Sequence, residues 1–110
     1  MRRTRRVLFV SSRNRLRSPT AEQVFSDWPD LEVASAGTDA AADEPVSAEW
    51  LAWADLIAVM ENRHRALLQR RFRASLKHAR LVCLDIPDVY GFMDPDLVRL
   101  LRARVTPHLR

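Results

Sequence analysis

Short apolar runs, separated by polar segments, are the dominant pattern of this chain. Three runs are continuously apolar over four residues, at positions 7–10, 56–59 and 81–84. Runs of this length without alternation are typical of strands covered on both faces of a parallel sheet. Residues 32–35 form a weaker and shorter candidate. The pattern therefore predicts four strands.

Helical periodicity alternates with these strands. Apolar residues at 21, 24, 25 and 28 recur at the spacing of one helix face. Ser18 followed by Pro19 predicts that this helix begins there, with Ser18 as its N-cap. Strands alternating with helices predict an α/β fold, in which a small four-stranded parallel sheet is flanked by helices as a three-layer sandwich.

Three further helices and one loop complete the expected organisation. Ser47 is expected to cap a short helix that ends near Trp53, and apolar residues mark a third helix over 67–72. A fourth helix is expected to begin after Asp94, because an acidic cap followed by proline is a common start. Residues 38–45 are the best loop candidate.

Residues 11–18 link the first strand to the first helix, and they hold the candidate chemistry. Sites in parallel α/β folds lie at the carboxyl ends of strands. Amides at a helix start lack partners and attract anions. The segment also contains Arg13, Arg15 and Arg17, and Arg17 can grip two phosphate oxygens at once. The sequence predicts a phosphate-binding loop, with a plain charged loop as the alternative. The phosphate-binding candidates are Ser12, Arg13, Asn14, Arg15, Leu16, Arg17 and Ser18.

Four motifs in the same order resemble the low-molecular-weight protein tyrosine phosphatases. Position 11, five residues, then Arg17-Ser18-Pro19 is similar to that family's cysteine loop. Residues 35–38, 54–61 and 87–92 are similar to its Ser-Ala-Gly-Thr segment, its third strand and its general-acid segment. The resemblance covers nearly the whole chain. It implies a phosphatase I-like fold and a phosphatase that uses no cofactor.

The resemblance also implies roles for individual residues. Position 11 would be the nucleophile that forms a phosphoenzyme, and Arg17 would stabilise the transition state. Asn14, Ser18 and Ser35 would support the loop, with Ser35 hydrogen-bonded to the asparagine. Asp88 would be the general acid. Asp94 and Asp85 are alternatives for that acid, although Asp94 also suits a helix cap.

Ser11 departs from the family, which has cysteine at this position. A serine hydroxyl stays protonated at neutral pH, so this form is expected to bind phosphate esters without appreciable turnover. It is either an engineered inactive variant or a natural pseudophosphatase that binds a phosphorylated protein or nucleic acid. The intact remaining motif favours the engineered variant. An arsenate reductase is disfavoured, because Cys83 is the sole cysteine.

Two other departures concern the pocket. The segment 39–53 is shorter than its family counterpart, so Trp50 or Trp53 either lines the pocket or packs in the core. This change widens the expected substrates from phosphotyrosine in proteins to small phosphate monoesters. Arg13 and Arg15 replace a glycine and an apolar residue, and are expected to point outward at the rim.

Composition bounds the remaining possibilities. The 110 residues predict a single domain over 1–110, and no apolar run is long enough for a membrane span. A lone Cys83 allows no intramolecular disulfide, which makes the cytoplasm the default location. His64, His78 and His108 lack ligand spacing, so no metal is expected. His64 and His78 are expected to be exposed, and His108 to lie in a frayed end.

Charge is arranged in blocks, with a net charge of +4. Residues 1–17 contain seven arginines and no acid, residues 18–62 contain ten acids and no Lys or Arg, and residues 63–80 contain seven Lys or Arg and no acid. The blocks predict one basic and one acidic face. A basic face attracts phosphorylated proteins, nucleic acid or acidic lipids, or is simply solvated. The sequence does not indicate an oligomeric state.

Overall fold

A computed structural model describes residues 4–109. The strands are β1 (Arg5–Ser11), β2 (Leu31–Gly37), β3 (Leu56–Val59) and β4 (Arg80–Cys83); the helices are α1 (Arg17–Phe25), α2 (Ala48–Trp53), α3 (Asn62–Arg71) and α4 (Pro95–Leu109), with a 3₁₀ helix at Arg73–Leu76. All four predicted strands are confirmed, and β1 and β2 are both longer than expected. Residues 38–45 form a loop with an isolated bridge at Pro45.

The four strands form one parallel sheet in the order β2-β1-β3-β4. The strand β1 is therefore interior, and its apolar run 7–10 is fully buried. Because the strands are parallel, their carboxyl ends meet at one edge. Ser11 lies opposite Gly37 in β2, while Val59 in β3 lies opposite Cys83 in β4. The loop 11–16 leaves the sheet at this edge.

Helices cover both faces of the sheet. Val7 and Phe9 face a core that includes Phe25 of α1 and Leu97 of α4. Successive strand residues point to opposite faces, so Leu8 and its alternate neighbours face a second core. That core includes Leu51 of α2 and Leu68 of α3. The predicted three-layer α/β sandwich is confirmed.

The ends of the helices confirm two expectations and overturn two. The Ser47 hydroxyl accepts from the Trp50 amide at 3.1 Å, and the Asp94 carboxylate accepts from the Asp96 amide at 2.9 Å, so both predicted caps exist. The prediction of Ser18 as the N-cap of α1 is wrong, because that helix already begins at Arg17. The frayed end expected at His108 is also wrong: Arg5 donates to the His108 carbonyl at 2.6 Å, and α4 continues to Leu109.

Candidate phosphate-binding site

A pocket of about 610 Å³ opens at the carboxyl edge of the sheet, above the end of β1. Its walls come from the 11–17 loop, the loop after β2, the start of α3 and the segment after β4. The lining residues are Ser11, Ser12, Arg13, Arg15, Leu16, Arg17, Asp39, Arg63 and Asp88. The structure thus brings most of the predicted loop residues together with Asp88. Asn14 and Ser18 lie beneath the surface, where both are buried.

The segment that follows β2 holds the backbone of the 11–17 loop in place by donating hydrogen bonds to its carbonyls. The amides of Thr38 and Asp39 donate to the carbonyls of Ser11 and Ser12, both at 2.9 Å, and the Asp43 amide donates to the Arg13 carbonyl at 3.2 Å. Within residues 4–109, no oxygen accepts from the amides of residues 13–16. Unpartnered amides beside a helix start form an anion site.

Gly37 permits this close approach of the two segments. A Cβ atom at this position would lie 2.6 Å from the Ser12 carbonyl oxygen and 2.5 Å from the Ala42 Cβ. Both distances are shorter than real Cβ contacts allow. A side chain at residue 37 would therefore push the loop away from its supporting segment.

Asn14 is the central residue of the buried support beneath the loop. Its backbone is left-handed, with φ of 57°, a conformation that asparagine tolerates better than most residues. Its side-chain oxygen accepts from the Ser18 hydroxyl at 2.7 Å, and its amide donates to the Ser35 carbonyl at 3.3 Å. The expected hydrogen bond between Ser35 and Asn14 is thus present through the Ser35 carbonyl, while the Ser35 hydroxyl donates to Glu22 at 2.5 Å.

The direction of the proton between Ser11 and Ser18 follows from this support. The two hydroxyl oxygens lie 2.6 Å apart. Ser18 has one hydroxyl proton, which it donates to the Asn14 side-chain oxygen. Ser11 must therefore be the donor in its bond with Ser18. Its own proton points into the protein, and its lone pairs remain for other contacts.

Arg17 lies at the base of the pocket with its side chain only 2% exposed. Its Nη1 donates to Glu61 Oε1 at 2.5 Å and to the Ile86 carbonyl at 2.7 Å. These two bonds anchor one side of the guanidinium. Its Nε lies 3.6 Å from Asp88 Oδ1. The arginine is fixed from behind and presents its Nε side towards Asp88.

The start of α3 supplies three neighbours that sequence reasoning did not place at the site: Glu61, Arg63 and His64. Glu61 Oε1 accepts from both Arg17 and Arg63, at 2.5 and 3.0 Å. Burial raises the pKa of Glu61, but hydrogen bonds from Arg63 and Arg17 outweigh it, so the pKa is lowered overall. Glu61 therefore holds a negative charge behind Arg17.

His64 is the clearest error of the sequence analysis, because it is 2% exposed rather than solvated. Its Nδ1 accepts from the Glu61 amide at 3.0 Å, and its Nε2 lies 2.9 Å from the Ser12 hydroxyl. Burial, with the Arg17 and Arg63 charges, lowers the pKa of His64 to about 4. Glu61 and His64 form a capping box at the start of α3, but Glu-x-x-His is not the Ser/Thr-x-x-Glu/Gln pattern that indicates one in a sequence. His78 is exposed as expected.

The rim is mixed in charge rather than uniformly basic. Arg13 and Arg15 are exposed, as predicted, but Arg13 Nε lies 3.8 Å from Asp39, and Arg15 Nε donates to Asp43 at 3.3 Å. The first basic block and the acidic block thus interleave around the pocket instead of forming opposite faces. Exposed pairs of this kind contribute about 0–1 kcal/mol each, so they are able to rearrange around a ligand.

The candidate acids occupy different positions. Asp88 lines the pocket and is 53% exposed on its side chain. Asp94 caps α4 through its bond to the Asp96 amide, which is the structural job expected of it. The Asp85 carbonyl accepts from Arg104 at 2.5 Å, away from the lining. Asp88 is therefore the carboxylate among the three that is placed beside Arg17.

The pocket wall contains no aromatic residue among the described residues. Trp50 and Trp53 pack edge-to-face, with centroids 5.5 Å apart, against the core beneath α2 and α3. Tyr90 packs against the core beneath α1 and α4. Core packing is thus confirmed for the two tryptophans. Cys83 is part of β4 and is partly buried, outside the lining.

Neither a membrane span nor a metal cluster is found in residues 4–109. None of the described helices combines the length and apolar character that crossing a bilayer requires. No group of three or more His, Cys, Asp or Glu side chains in this part of the chain is arranged to hold a metal ion.

Comparison by sequence with family models and with curated proteins finds no match, whereas comparison of structures does. Wzb from Vibrio vulnificus, solved with benzylphosphonate, has a TM-score of 0.78 and 22% identity over 96% of this chain and 97% of that one. A low-molecular-weight protein tyrosine phosphatase from T. tengcongensis has a TM-score of 0.74 and 22% identity over 94% and 99%.

A third similar structure bears on position 11. It is a mutant of the arginine phosphatase YwlE in which serine replaces the active-site cysteine and is phosphorylated; its TM-score is 0.72, with 21% identity over 94% of this chain and 95% of that one. At sequence identities this low, the structural similarity establishes the fold alone. The four-stranded parallel sheet and flanking helices described above are the fold of the low-molecular-weight protein tyrosine phosphatases.

Proposed function

We propose that this chain is a cysteine-type phosphate-monoester phosphatase represented by an inactive Ser11 form, which binds phosphorylated proteins without hydrolysing them. The observation that carries the proposal is the joint placement of the 13–16 amides, the anchored Arg17 and Asp88 around Ser11. Phosphatase chemistry needs these three elements: a cradle for the dianion, a cation for the transition state and an acid for the leaving group.

Phosphate binding follows from the charge and direction of the donors. A phosphate dianion in the loop accepts from the 13–16 amides, and the Nε side of Arg17 contacts its oxygens. Each hydrogen bond to a charged group is worth about 1.5–3 kcal/mol. Asp88, 3.6 Å from Arg17 Nε, must turn aside or carry a proton when the ligand enters.

Catalysis fails in this form because Ser11 lacks a base. Its proton goes to Ser18, whose own proton goes to the amide oxygen of Asn14. An amide oxygen is not basic at neutral pH, so the relay ends without a proton acceptor. A thiolate at position 11 needs no such base, and the loop amides and Arg17 would lower its pKa.

With cysteine at position 11, the reaction would proceed in two displacements. The thiolate attacks phosphorus, the phosphorus–oxygen bond to the leaving group breaks, and Asp88 transfers its proton to that oxygen. Asp88 then removes a proton from water, which attacks the phosphoenzyme and releases phosphate and the thiolate. The anchored Arg17 stabilises the equatorial oxygens in both steps.

The substrate class is a phosphorylated protein side chain, with small phosphate monoesters also accepted. The structures similar to this chain include a tyrosine phosphatase and an arginine phosphatase. The wall of this pocket offers arginines, acids and Leu16 rather than aromatic rings. A wall of this composition does not select an aryl group by stacking, so several phosphate esters are expected to bind.

A natural pseudophosphatase that holds a phosphorylated protein or nucleic acid is the second candidate. The close accommodation of the Ser11 hydroxyl, 2.6 Å from Ser18, supports it. The two candidates differ in what cysteine would do at position 11. A retained phosphatase site recovers turnover, whereas a site that has lost its function as an enzyme does not.

The test is to assay Ser11→Cys with an aryl phosphate, with Ser11→Ala as the matched control. We expect burst kinetics and turnover from Ser11→Cys, and neither from Ser11→Ala or the Ser11 chain. The intact mass of the Ser11 chain should stay unchanged after incubation with the aryl phosphate. Ser11 is thus expected to remain unmodified, whereas the corresponding serine of the YwlE mutant is phosphorylated. If Ser11→Cys binds phosphate but shows neither burst nor turnover, the pseudophosphatase is the correct function.

A further inference from the structure

His64 is a buried imidazole with both ring nitrogens in hydrogen bonds. Nδ1 lies 3.0 Å from the Glu61 amide nitrogen, and Nε2 lies 2.9 Å from the Ser12 hydroxyl. The amide can only donate, so Nδ1 must be unprotonated. With its pKa lowered to about 4, the ring is neutral at pH 7 and carries its single proton on Nε2.

This tautomer decides the direction of the bond to Ser12. Nε2–H donates, so the Ser12 oxygen accepts, and the hydroxyl proton of Ser12 is not used by His64. In the described part of the chain, no other hydrogen bond to the Ser12 hydroxyl is present. Ser12 lines the pocket beside Ser11. The unused proton is thus available at the place where a phosphate oxygen would lie.

We propose that His64 is a positioning residue that leaves the Ser12 hydroxyl free to donate a hydrogen bond to bound phosphate. The inference rests on the proposed phosphate-binding function and extends it to a side-chain donor next to the nucleophile position. His64 cannot serve as a base for Ser12, because its Nε2 already carries a proton. Because the Nε2–H of His64 donates to the Ser12 oxygen, the Ser12 hydroxyl cannot donate to His64 and its proton points elsewhere.

Burial, together with two positively charged neighbours, keeps the pKa of His64 low and so preserves this arrangement at neutral pH. Arg17 and Arg63 disfavour protonation of the ring, while Glu61 and Asp88 favour it less strongly. A protonated ring would turn an Nδ1–H towards the Glu61 N–H and break the capping box. The positioning bond therefore belongs to the neutral ring.

The first measurement is the affinity for inorganic phosphate of the unmodified chain, Ser12→Ala, His64→Leu, the double variant and His64→Gln. Loss of one hydrogen bond to a charged ligand should weaken binding about 10- to 100-fold in Ser12→Ala. His64→Leu should weaken it similarly, and the double variant no further. His64→Gln should retain most of the affinity, because an N3 glutamine can accept from the Glu61 amide while its NH₂ group donates to Ser12.

Three outcomes overturn the inference, and they are distinct from failure of the proposed function. If Ser12→Ala binds as tightly as the unmodified chain, Ser12 is not a donor. If the losses of Ser12→Ala and His64→Leu add, His64 acts independently of Ser12. If the ¹⁵N spectrum of His64 in the unmodified chain shows the proton on Nδ1, the direction of the bond is reversed; this readout holds even where His64→Leu fails to fold. A chain that binds no phosphate at all refutes the proposed function itself.

Discussion

Replacing Gly37 by alanine tests whether the loop geometry depends on the close approach of the segment after β2. The added Cβ would lie 2.6 Å from the Ser12 carbonyl oxygen and 2.5 Å from the Ala42 Cβ. Because the Ser12 carbonyl belongs to the loop backbone, relieving this contact must displace the loop. Overpacking of this kind typically costs about 1–3 kcal/mol of unfolding free energy.

Gly91→Ala is the matched control. A Cβ at residue 91 meets nothing within 4 Å, and neither glycine has a positive φ. Alanine there should leave the unfolding free energy unchanged or raise it by up to about 1 kcal/mol, because it restricts the unfolded chain. The same change of residue type is thus expected to have opposite effects at the two glycines.

Urea unfolding followed by tryptophan fluorescence measures both variants, and phosphate titration measures the loop. We expect Gly37→Ala to be less stable than Gly91→Ala, with weaker phosphate binding at temperatures where it remains folded. In a chain of this size, each 1 kcal/mol corresponds to a melting-temperature change of roughly 4–8 °C. Equal stability of the two variants, or unchanged phosphate affinity in folded Gly37→Ala, would refute this reasoning.

Three further predictions concern pH and the buried support. The pKa of His64 is 6.5 in the unfolded chain and about 4 in the folded chain. As the pH falls from 6.5 to 4, the unfolded chain is therefore protonated first, and the unfolding free energy should decrease by up to about 3 kcal/mol. Urea titrations at several pH values should show a smaller decrease in His64→Gln. Asn14→Ala removes two bonds and strains a left-handed backbone, so phosphate affinity should drop; Asn14→Gly, which relieves the strain alone, should not recover it in the same titration. Asp94→Ala should cost about 1 kcal/mol in thermal unfolding through the lost cap, and Asp94→Ser less; equal phosphate affinity in both would confirm that Asp94 is structural.

Three of the four strands, β1, β3 and β4, were predictable because each contains an apolar run that must be covered on both faces. The run 7–10 is fully buried in an interior strand, and such a run leaves few other solutions. The caps at Ser47 and Asp94 were predictable because their bonds are local, reaching two or three residues along the chain.

Contacts across the fold were less accessible to sequence reasoning. The Ser18 hydroxyl supports Asn14 rather than capping α1, because the loop requires a buried donor at that point. His64 lies in a basic, polar segment, and its hydrogen-bond partner Ser12 is 52 residues away in the sequence. The pairing of Arg13 with Asp39 similarly arises only once β1 and β2 are adjacent.

An NMR titration with inorganic phosphate shows whether the amides of residues 13–16 hold the ligand. The ¹H–¹⁵N signals of residues 12–17 should shift together and saturate, and Arg17→Met should abolish the shifts. Binding by nonspecific charge would instead shift signals across the basic residues 65–80, which lie outside the pocket. Shifts confined to that region, with the 13–16 amides unmoved, would contradict the phosphate-binding site.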